Sequence, residues 1–353
     1  MKKKIIFFYP EILDDGLQTT CQTYIKYFKK KFDISIIYFK KDKKYKFLSG
    51  IQLINIKNNI FSFINLIKKN KKNTVFFSLD KHYYLLILKI LNFKFKSIIR
   101  IPNPISKNNK FTLSQNSGQV LSKFEIFFLK FSDVVIIYSK KNYNYFRNIY
   151  NLKNLEFIRN YFPKKNCQLN RKKIKNIFFI GRLVQSKDPY FFLKGCNLAH
   201  KLNKFNINIV GEGPEKEELV KFSKRNKLKI KFHGFIKNPF EFFKNRIDLF
   251  CLTSKFDGTP NVLGEAISYG IPCLAPKNVG MCNELLINGS GGYLYTQNQL
   301  SSFKKKLLDI LRNPQIAKRK AKKSHKYLDL HGKKNTLDKL NKVINKLIGK
   351  NFN

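Results

Sequence analysis

Short apolar runs alternate with segments of helical period along almost the whole chain. Lys4–Tyr9, Ile34–Phe39, Gln52–Ile56, Thr74–Ser78, Ser97–Ile101 and Val134–Tyr138 are rich in β-branched and aromatic residues. Between them, Leu17–Lys29, Phe61–Lys69, Tyr83–Leu91 and Leu121–Phe131 place apolar residues three and four apart, the spacing of a helix with one buried face. Strands apolar on both faces and separated by helices predict a parallel sheet covered on both sides. Residues 159–176, Arg159-Asn160-Tyr161-Phe162-Pro163 and a Lys/Asn-rich stretch, lose this periodicity and read as a linker. The alternation then restarts, with strands at Ile177–Ile180, Ile207–Val210, Ile230–Phe232, Leu249–Leu252 and Pro272–Ala275. Helices are expected at Tyr190–Leu202, Glu215–Asn226, Pro239–Phe243 and Asn261–Tyr269. The prediction is an α/β protein with two Rossmann-like, doubly wound domains, 1–163 and 164–330, facing each other across a ligand-binding cleft at the carboxyl ends of the strands. Residues 331–353, with the amphipathic and basic Lys334–Leu347, are expected to form a helix that packs back on the first domain.

Composition agrees with packed cores, since 353 residues exceed what one core usually holds and 43% are hydrophobic. The net charge of +48 complicates the picture by pointing to a polyanion. Of the 70 basic residues only nine are Arg, however, and Lys is the weaker choice for bidentate recognition of phosphates and bases. Lys, Asn, Ile and Phe all have A/T-rich codons, so genome composition supplies a competing reason for the excess. No specific nucleic-acid partner is expected, whereas scattered lysines suffice for attraction to an acidic leaflet. The start, Met1-Lys2-Lys3-Lys4-Ile5-Ile6-Phe7-Phe8-Tyr9-Pro10, imitates a signal peptide, but its apolar run stops at Pro10-Glu11 and reads as a buried strand. No apolar run approaches the roughly 18 residues of a spanning helix. The expectation is a cytoplasmic protein held peripherally on the inner face of the plasma membrane, with basic faces such as Lys123–Lys130 toward the lipid. Six cysteines without a CxxC pair are expected to be buried free thiols.

Three stretches carry candidate chemistry. In Gly181-Arg182-Leu183-Val184-Gln185-Ser186-Lys187, a strand ends in Gly, then Arg, then Lys just before a helix. Gly allows close backbone approach, Arg grips two phosphate oxygens and Lys adds a point charge. Gly211-Glu212-Gly213-Pro214 lacks the full dinucleotide pattern and reads as a plain strand-to-helix turn. The third stretch runs from Thr253 to Pro272. Thr259 is expected to cap a helix, with Pro260 in its first position and Gly270 just past its end. That helix offers its free amides beside Asp257-Gly258 and carries Glu265. Of the two carboxylates, one could hold a ribose and the other a transferred sugar.

Together these stretches resemble the donor-binding domain of the family-4 retaining glycosyltransferases, group 1 glycosyltransferases of the GT-B fold. The likeness is strong over roughly residues 177–295. It implies that Arg182 and Lys187 bind the donor diphosphate, Glu265 the ribose and Asp257 the donor sugar, although the family's first acid is usually Glu. Gly258, Thr259 and the amides of Asn261 and Val262 match the family's diphosphate loop. His233-Gly234-Phe235 matches the segment near the base, which adds Gly234 and Phe235 to Gly181 on the donor side. In the first domain, Asp14-Asp15-Gly16-Leu17 corresponds to a Gly-rich loop, with Gly16 toward the donor. Asp133…Ser139 and Arg159-Asn160 match the family's Asp…Ser and Asn. His82 lies near the family's strand-end His, and Arg100 and Asn103 end another strand where they could face the sugar or acceptor.

The resemblance implies a nucleotide-sugar donor, UDP- or GDP-linked, and a saccharide acceptor, polyprenyl-diphosphate-linked in envelope polysaccharide synthesis. No Asp-x-Asp pair stands at a strand end, so no metal or other cofactor is expected, with Arg182 and Lys187 in place of Mg²⁺. The reaction implied is same-face attack by the acceptor as the diphosphate leaves. Two rivals remain. An epimerase on the same fold would lack the Gly-Arg-Leu…Lys stretch followed by paired acids. A non-enzymatic polyanion- or membrane-surface-binding protein would bind independently of Arg182 and Glu265.

Overall fold

The computed structural model describes residues 3–12, 16–41, 45–56, 59–70, 72–101, 127–165, 173–243 and 245–349. They form two units, one containing the described residues up to Tyr161 together with those from Lys333 on, the other containing Phe162–Gly332.

The first unit is built on seven parallel strands: β1 (Lys4–Phe8), β2 (Asp33–Tyr38), β3 (Gln52–Asn55), β4 (Thr74–Ser78), β5 (Lys96–Ile101), β6 (Val134–Ile137) and β7 (Leu155–Phe157). Their order is β3-β2-β1-β4-β5-β6-β7, and Ile5 of β1 lies between Ile34 and Val75. Every residue of β4 and β5 is buried, as expected of central strands covered on both faces. The period of two along β1 shows how both faces are used. Phe7 packs on Tyr24 of helix α1 (Gly16–Phe28). Phe8 points the other way, onto Phe63 of α2 (Ile60–Lys69) and Tyr84 of α3 (Tyr83–Ile90). A further helix, α4 (Lys140–Tyr150), starts at Ser139, whose side chain accepts from the Asn142 amide. Of the helix expected at Leu121–Phe131, Leu129–Phe131 form a 3₁₀ turn, and residues 121–126 lie outside the described residues.

The second unit repeats the plan with six parallel strands: β8 (Asn176–Ile180), β9 (Asn206–Val210), β10 (Ile230–Phe232), β11 (Leu249–Cys251), β12 (Cys273–Pro276) and β13 (Tyr293–Tyr295). Their order is β10-β9-β8-β11-β12-β13. Helices α5 (Pro189–His200), α6 (Lys216–Arg225), α7 (Asn261–Ser268), α8 (Leu300–Arg312) and α9 (Pro314–Tyr327) connect and cover them. Ile177, Phe179, Leu193, Ile209, Leu249 and Phe303 are among its buried core. Part of the stretch read as a linker is packed here: the Phe162 amide donates to the His331 carbonyl and the Lys165 amide to the Ser268 carbonyl.

The chain returns to the first unit through a π-helical turn, Lys334–Asp338, and helix α10 (Lys339–Gly349). The Tyr27 hydroxyl donates to Asp338, Lys96 Nζ to the Ile348 carbonyl at 2.6 Å and Lys339 Nζ to the Phe157 carbonyl at 2.8 Å. Among the described residues, no helix is long and apolar enough to cross a membrane. Cys21, Cys196, Cys251, Cys273 and Cys282 are buried thiols outside any disulfide among the described residues.

Candidate functional site

The candidate donor residues of the second unit sit in the loops that follow β8, β10 and β11 at the carboxyl edge of its sheet and on the first half of helix α7. Backbone hydrogen bonds lace these loops together. The Gly181 amide donates to Val210, Leu183 to Glu212 and Gly211 to Gly234, at 3.0, 2.9 and 2.8 Å. Gly211 has φ +140°, and a Cβ there would lie 1.9 Å from the Gly181 carbonyl oxygen. The Gly-Glu-Gly turn therefore holds up the loop that begins with Gly181-Arg182. Arg182 itself is exposed, and its side chain pairs with none of the described residues.

Val184–Asp188 form a tight turn closed by the Lys187 and Asp188 amides on the Val184 carbonyl. Asp188, at φ +48°, caps helix α5 by accepting from the Phe191 amide at 3.1 Å. The Thr253 hydroxyl lies 3.0 and 2.9 Å from the Lys187 and Asp188 carbonyls and donates into that pair. The Lys255 amide donates to Ser186 at 2.9 Å, and its ammonium pairs with Asp188 at 3.3 Å. The turn is thus pinned to the segment after β11 on both sides of Ser254. Across this junction the Lys187 ammonium donates to Asp257 Oδ2 at 2.5 Å. Residues 70 apart in sequence meet here, so the first and third motifs form one constellation.

Helix α7 starts at Asn261 with Pro260 in the cap position, at φ −69° and ψ 86°, and no side chain caps it. This corrects the expectation of a Thr259 cap and Pro260 at the first helical position. The ψ of 86° keeps Pro260 out of the helix, and proline has no side-chain acceptor. The first-turn amides are therefore not taken by a capping side chain. Gly270, at φ +67°, does follow the helix end. Gly280, at φ +48°, backs the loop: a Cβ there would lie 2.3 Å from the Asp257 carbonyl oxygen and 2.5 Å from that of Gly258. Glu265 lies about one turn into α7, half-buried. Burial raises its carboxyl from the ordinary range to about 7. No cation among the described residues offsets this.

Gly234 adopts φ +67° beside the Glu212 side chain, and Phe235 is exposed. His233 Nε2 lies 3.0 Å from Asn208 Oδ1, and burial followed by the nearby Lys231 lowers its pKa.

Of the first-unit candidates, Gly16 opens helix α1. His82 is buried at the start of α3, and Nε2 has no partner among the described residues. Burial lowers its pKa to about 4, so the ring is neutral at pH 7. Arg100 is buried at the end of β5 with its guanidinium 4.4 Å from the centre of the Tyr138 ring. Asn103 lies outside the described residues. Asp133 accepts from the Ser97 amide at 2.8 Å and from Lys89 at 2.7 Å, a structural task.

The chemistry this constellation offers is anion binding beside two carboxylates of different character. Arg182 is an open cation, Lys187 a cation already oriented by Asp257, and the start of α7, which no side chain caps, adds its dipole. Thr253, Lys255, Asp188 and Gly280 were missed by sequence reasoning. Their signal was weak: common residue types whose role depends on a loop from elsewhere in the chain.

Comparison with known proteins follows the same lines. The lipopolysaccharide 1,6-galactosyltransferase of Salmonella typhimurium is 28% identical over 111 residues, 30% of this chain and 31% of that protein. The UDP-Gal:α-D-GlcNAc-diphosphoundecaprenol α-1,3-galactosyltransferase of Escherichia coli is 28% identical over 130 residues, 35% and 33% of the two chains. The chain spans only 43%, 31% and 55% of the length of the first curated relatives it matches. In fold, Anabaena HepE in complex with UDP and glucose superimposes with a TM-score of 0.76 at 15% identity, over 99% of this chain and 100% of that one. The fold is GT-B, as expected from the sequence. Residues 162–327, a little under half of the chain, match the family described as glycosyl transferases group 1.

Proposed function

We propose that this protein is a retaining, metal-independent glycosyltransferase. It moves a sugar from a UDP- or GDP-linked donor to a lipid-linked saccharide acceptor in envelope polysaccharide synthesis, while bound peripherally to the cytoplasmic face of the membrane. The observation that carries the reading is the Lys187–Asp257 contact, which joins the Gly-Arg-Leu…Lys loop to the acidic loop that leads into α7. In this reading the second unit holds the donor. Arg182, Lys187 and the amides of Asn261 and Val262 take the diphosphate, with Gly181, Gly258 and Thr259 allowing its approach. Glu265 accepts from the ribose hydroxyls, Asp257 meets the transferred sugar, and Gly234-Phe235 lies along the base. Gly16, His82, Arg100 and Asn103 serve the sugar and acceptor side, His82 as a neutral hydrogen-bonding ring.

As the bond from the anomeric carbon to the diphosphate breaks, negative charge grows on the leaving oxygen. Arg182 and Lys187 stabilise that charge where a metal ion would otherwise serve. The acceptor hydroxyl forms its bond to the anomeric carbon on the same face and passes its proton to the departing diphosphate. The names of the Escherichia coli relative and the HepE complex support a UDP donor, and the former supports a diphosphoundecaprenol-borne acceptor. The test is a mass-spectrometric screen of sugar nucleotides, with and without polyprenyl-diphosphate-linked saccharides, with the product's anomeric configuration read by NMR. A retained configuration is expected, and inversion would overturn the mechanism. Absence of transfer from every nucleotide sugar would overturn the function.

A further inference from the structure

Apart from Lys89, helix α3 carries apolar or aromatic side chains around its whole circumference. Leu85, Leu86 and Leu88 are buried in the first unit's core. Tyr83, Ile87 and Ile90 recur on the opposite side at helical spacing, continued by Leu91 just past the helix end, and all four are exposed, Leu91 by 62%. A largely apolar helix is ordinarily buried on most of its surface, so this outer stripe is a face left exposed among the described residues. The 3₁₀ turn Leu129–Phe131 packs beside α3 and adds two exposed rings, Phe131 and the preceding Phe127, the latter exposed by 52%.

Charge identifies what covers the face. Lys130 Nζ lies 3.4 Å from the centre of the Phe127 ring and 5.3 Å from that of Phe131, and Lys94 is exposed just beyond Leu91. Asp133, the acid beside them, is already paired with Lys89 at 2.7 Å. Apolar and aromatic side chains edged by ammonium groups suit the boundary between acyl chains and anionic headgroups, with lysine stems lying along the apolar surface. We propose that α3 and the Phe127–Phe131 segment form the face that docks this protein on an anionic lipid leaflet. The proposal goes beyond peripheral attraction by general charge, and it does not depend on the chemistry assigned to the second unit.

The experiment is flotation of the full chain with vesicles of phosphatidylcholine alone and of phosphatidylcholine with phosphatidylglycerol, across a salt series. Three variants are compared with wild type: Ile87→Ser/Leu91→Ser, Lys94→Gln/Lys130→Gln, and the remote Lys221→Gln. Because every altered side chain is exposed, thermal melts are expected to match wild type. The Ser pair should weaken binding to anionic vesicles at least about tenfold. The Gln pair should weaken it and flatten its salt dependence, and Lys221→Gln should do neither. Binding that survives the Ser pair overturns the proposal, as does equal binding to neutral vesicles. Sedimentation showing a dimer that the Ser pair abolishes, without vesicle binding by wild type, would assign the face to a second copy instead. UDP binding measured by calorimetry is expected to be the same in all variants, so failure here leaves the donor-site reading intact.

Discussion

Replacing Glu265 by Gln should stabilise the second unit while weakening UDP binding at the proposed donor site. Burial raises the Glu265 carboxyl from an ordinary 4.5 to about 7. At about 1.4 kcal/mol per tenfold, that difference corresponds to about 3 kcal/mol. The sign follows from proton binding. Below pH 4.5 the carboxyl is neutral in both folded and unfolded chains and costs nothing. Between pH 4.5 and 7 only the unfolded chain ionises fully, so wild type loses stability as pH rises. Above pH 7 the whole cost is present. Gln keeps the shape and cannot ionise, so its advantage should grow from near zero at pH 4.5 to about 3 kcal/mol at pH 8. For a unit of this size that is a rise in melting temperature of about 6–12 °C. The assay is calorimetric melting of wild type and Glu265→Gln at pH 4.5, 6 and 8, paired with UDP titration. UDP binding should weaken in the variant, because a carboxylate accepts stronger hydrogen bonds from ribose hydroxyls than an amide does. An advantage for Gln that does not change with pH would refute the electrostatic reasoning. Unchanged UDP affinity would refute the ribose assignment. Both effects together would mark Glu265 as a group kept for binding at the expense of stability.

Arg182→Ala should lower kcat/KM by roughly 10²-fold or more with a kcat component, whereas Lys221→Ala on exposed helix α6 should change little. Equal effects of the two would mean that diffuse charge, not a phosphate clamp, governs activity. Donor turnover should survive EDTA, and loss restored by Mg²⁺ or Mn²⁺ would remove Arg182 and Lys187 from the role of a metal substitute. Gly211→Ala should destabilise the second unit by about 1–3 kcal/mol, read by thermal melting, because φ +140° disfavours a side chain and the new Cβ would strike the Gly181 carbonyl. An unchanged melting temperature would show that the turn relaxes freely.

The sequence by itself determined the α/β plan. Strands such as Thr74–Ser78 are buried on both faces and so read as unbroken apolar runs, and the helices between them show their buried face by spacing alone. It also located Gly181-Arg182, Lys187, Asp257 and Glu265, because residue types at fixed offsets from a strand end or a helix start survive as local patterns. Only the tertiary structure decided what these residues do to one another. The contact of Lys187 with Asp257 depends on the order in which β8 and β11 sit in the sheet, and strand order is not written in any window of sequence. The cap of α7 depended on the backbone angle of Pro260, which Thr259-Pro260 as a sequence leaves open. The raised carboxyl of Glu265 comes from surroundings assembled by distant segments, and the same holds for the lone Nε2 of His82. The outer face of α3 is the reverse case. Its apolar residues were plain in the sequence, but an apolar helix normally finds cover within its own unit, and only the packing left Ile87, Ile90 and Leu91 exposed.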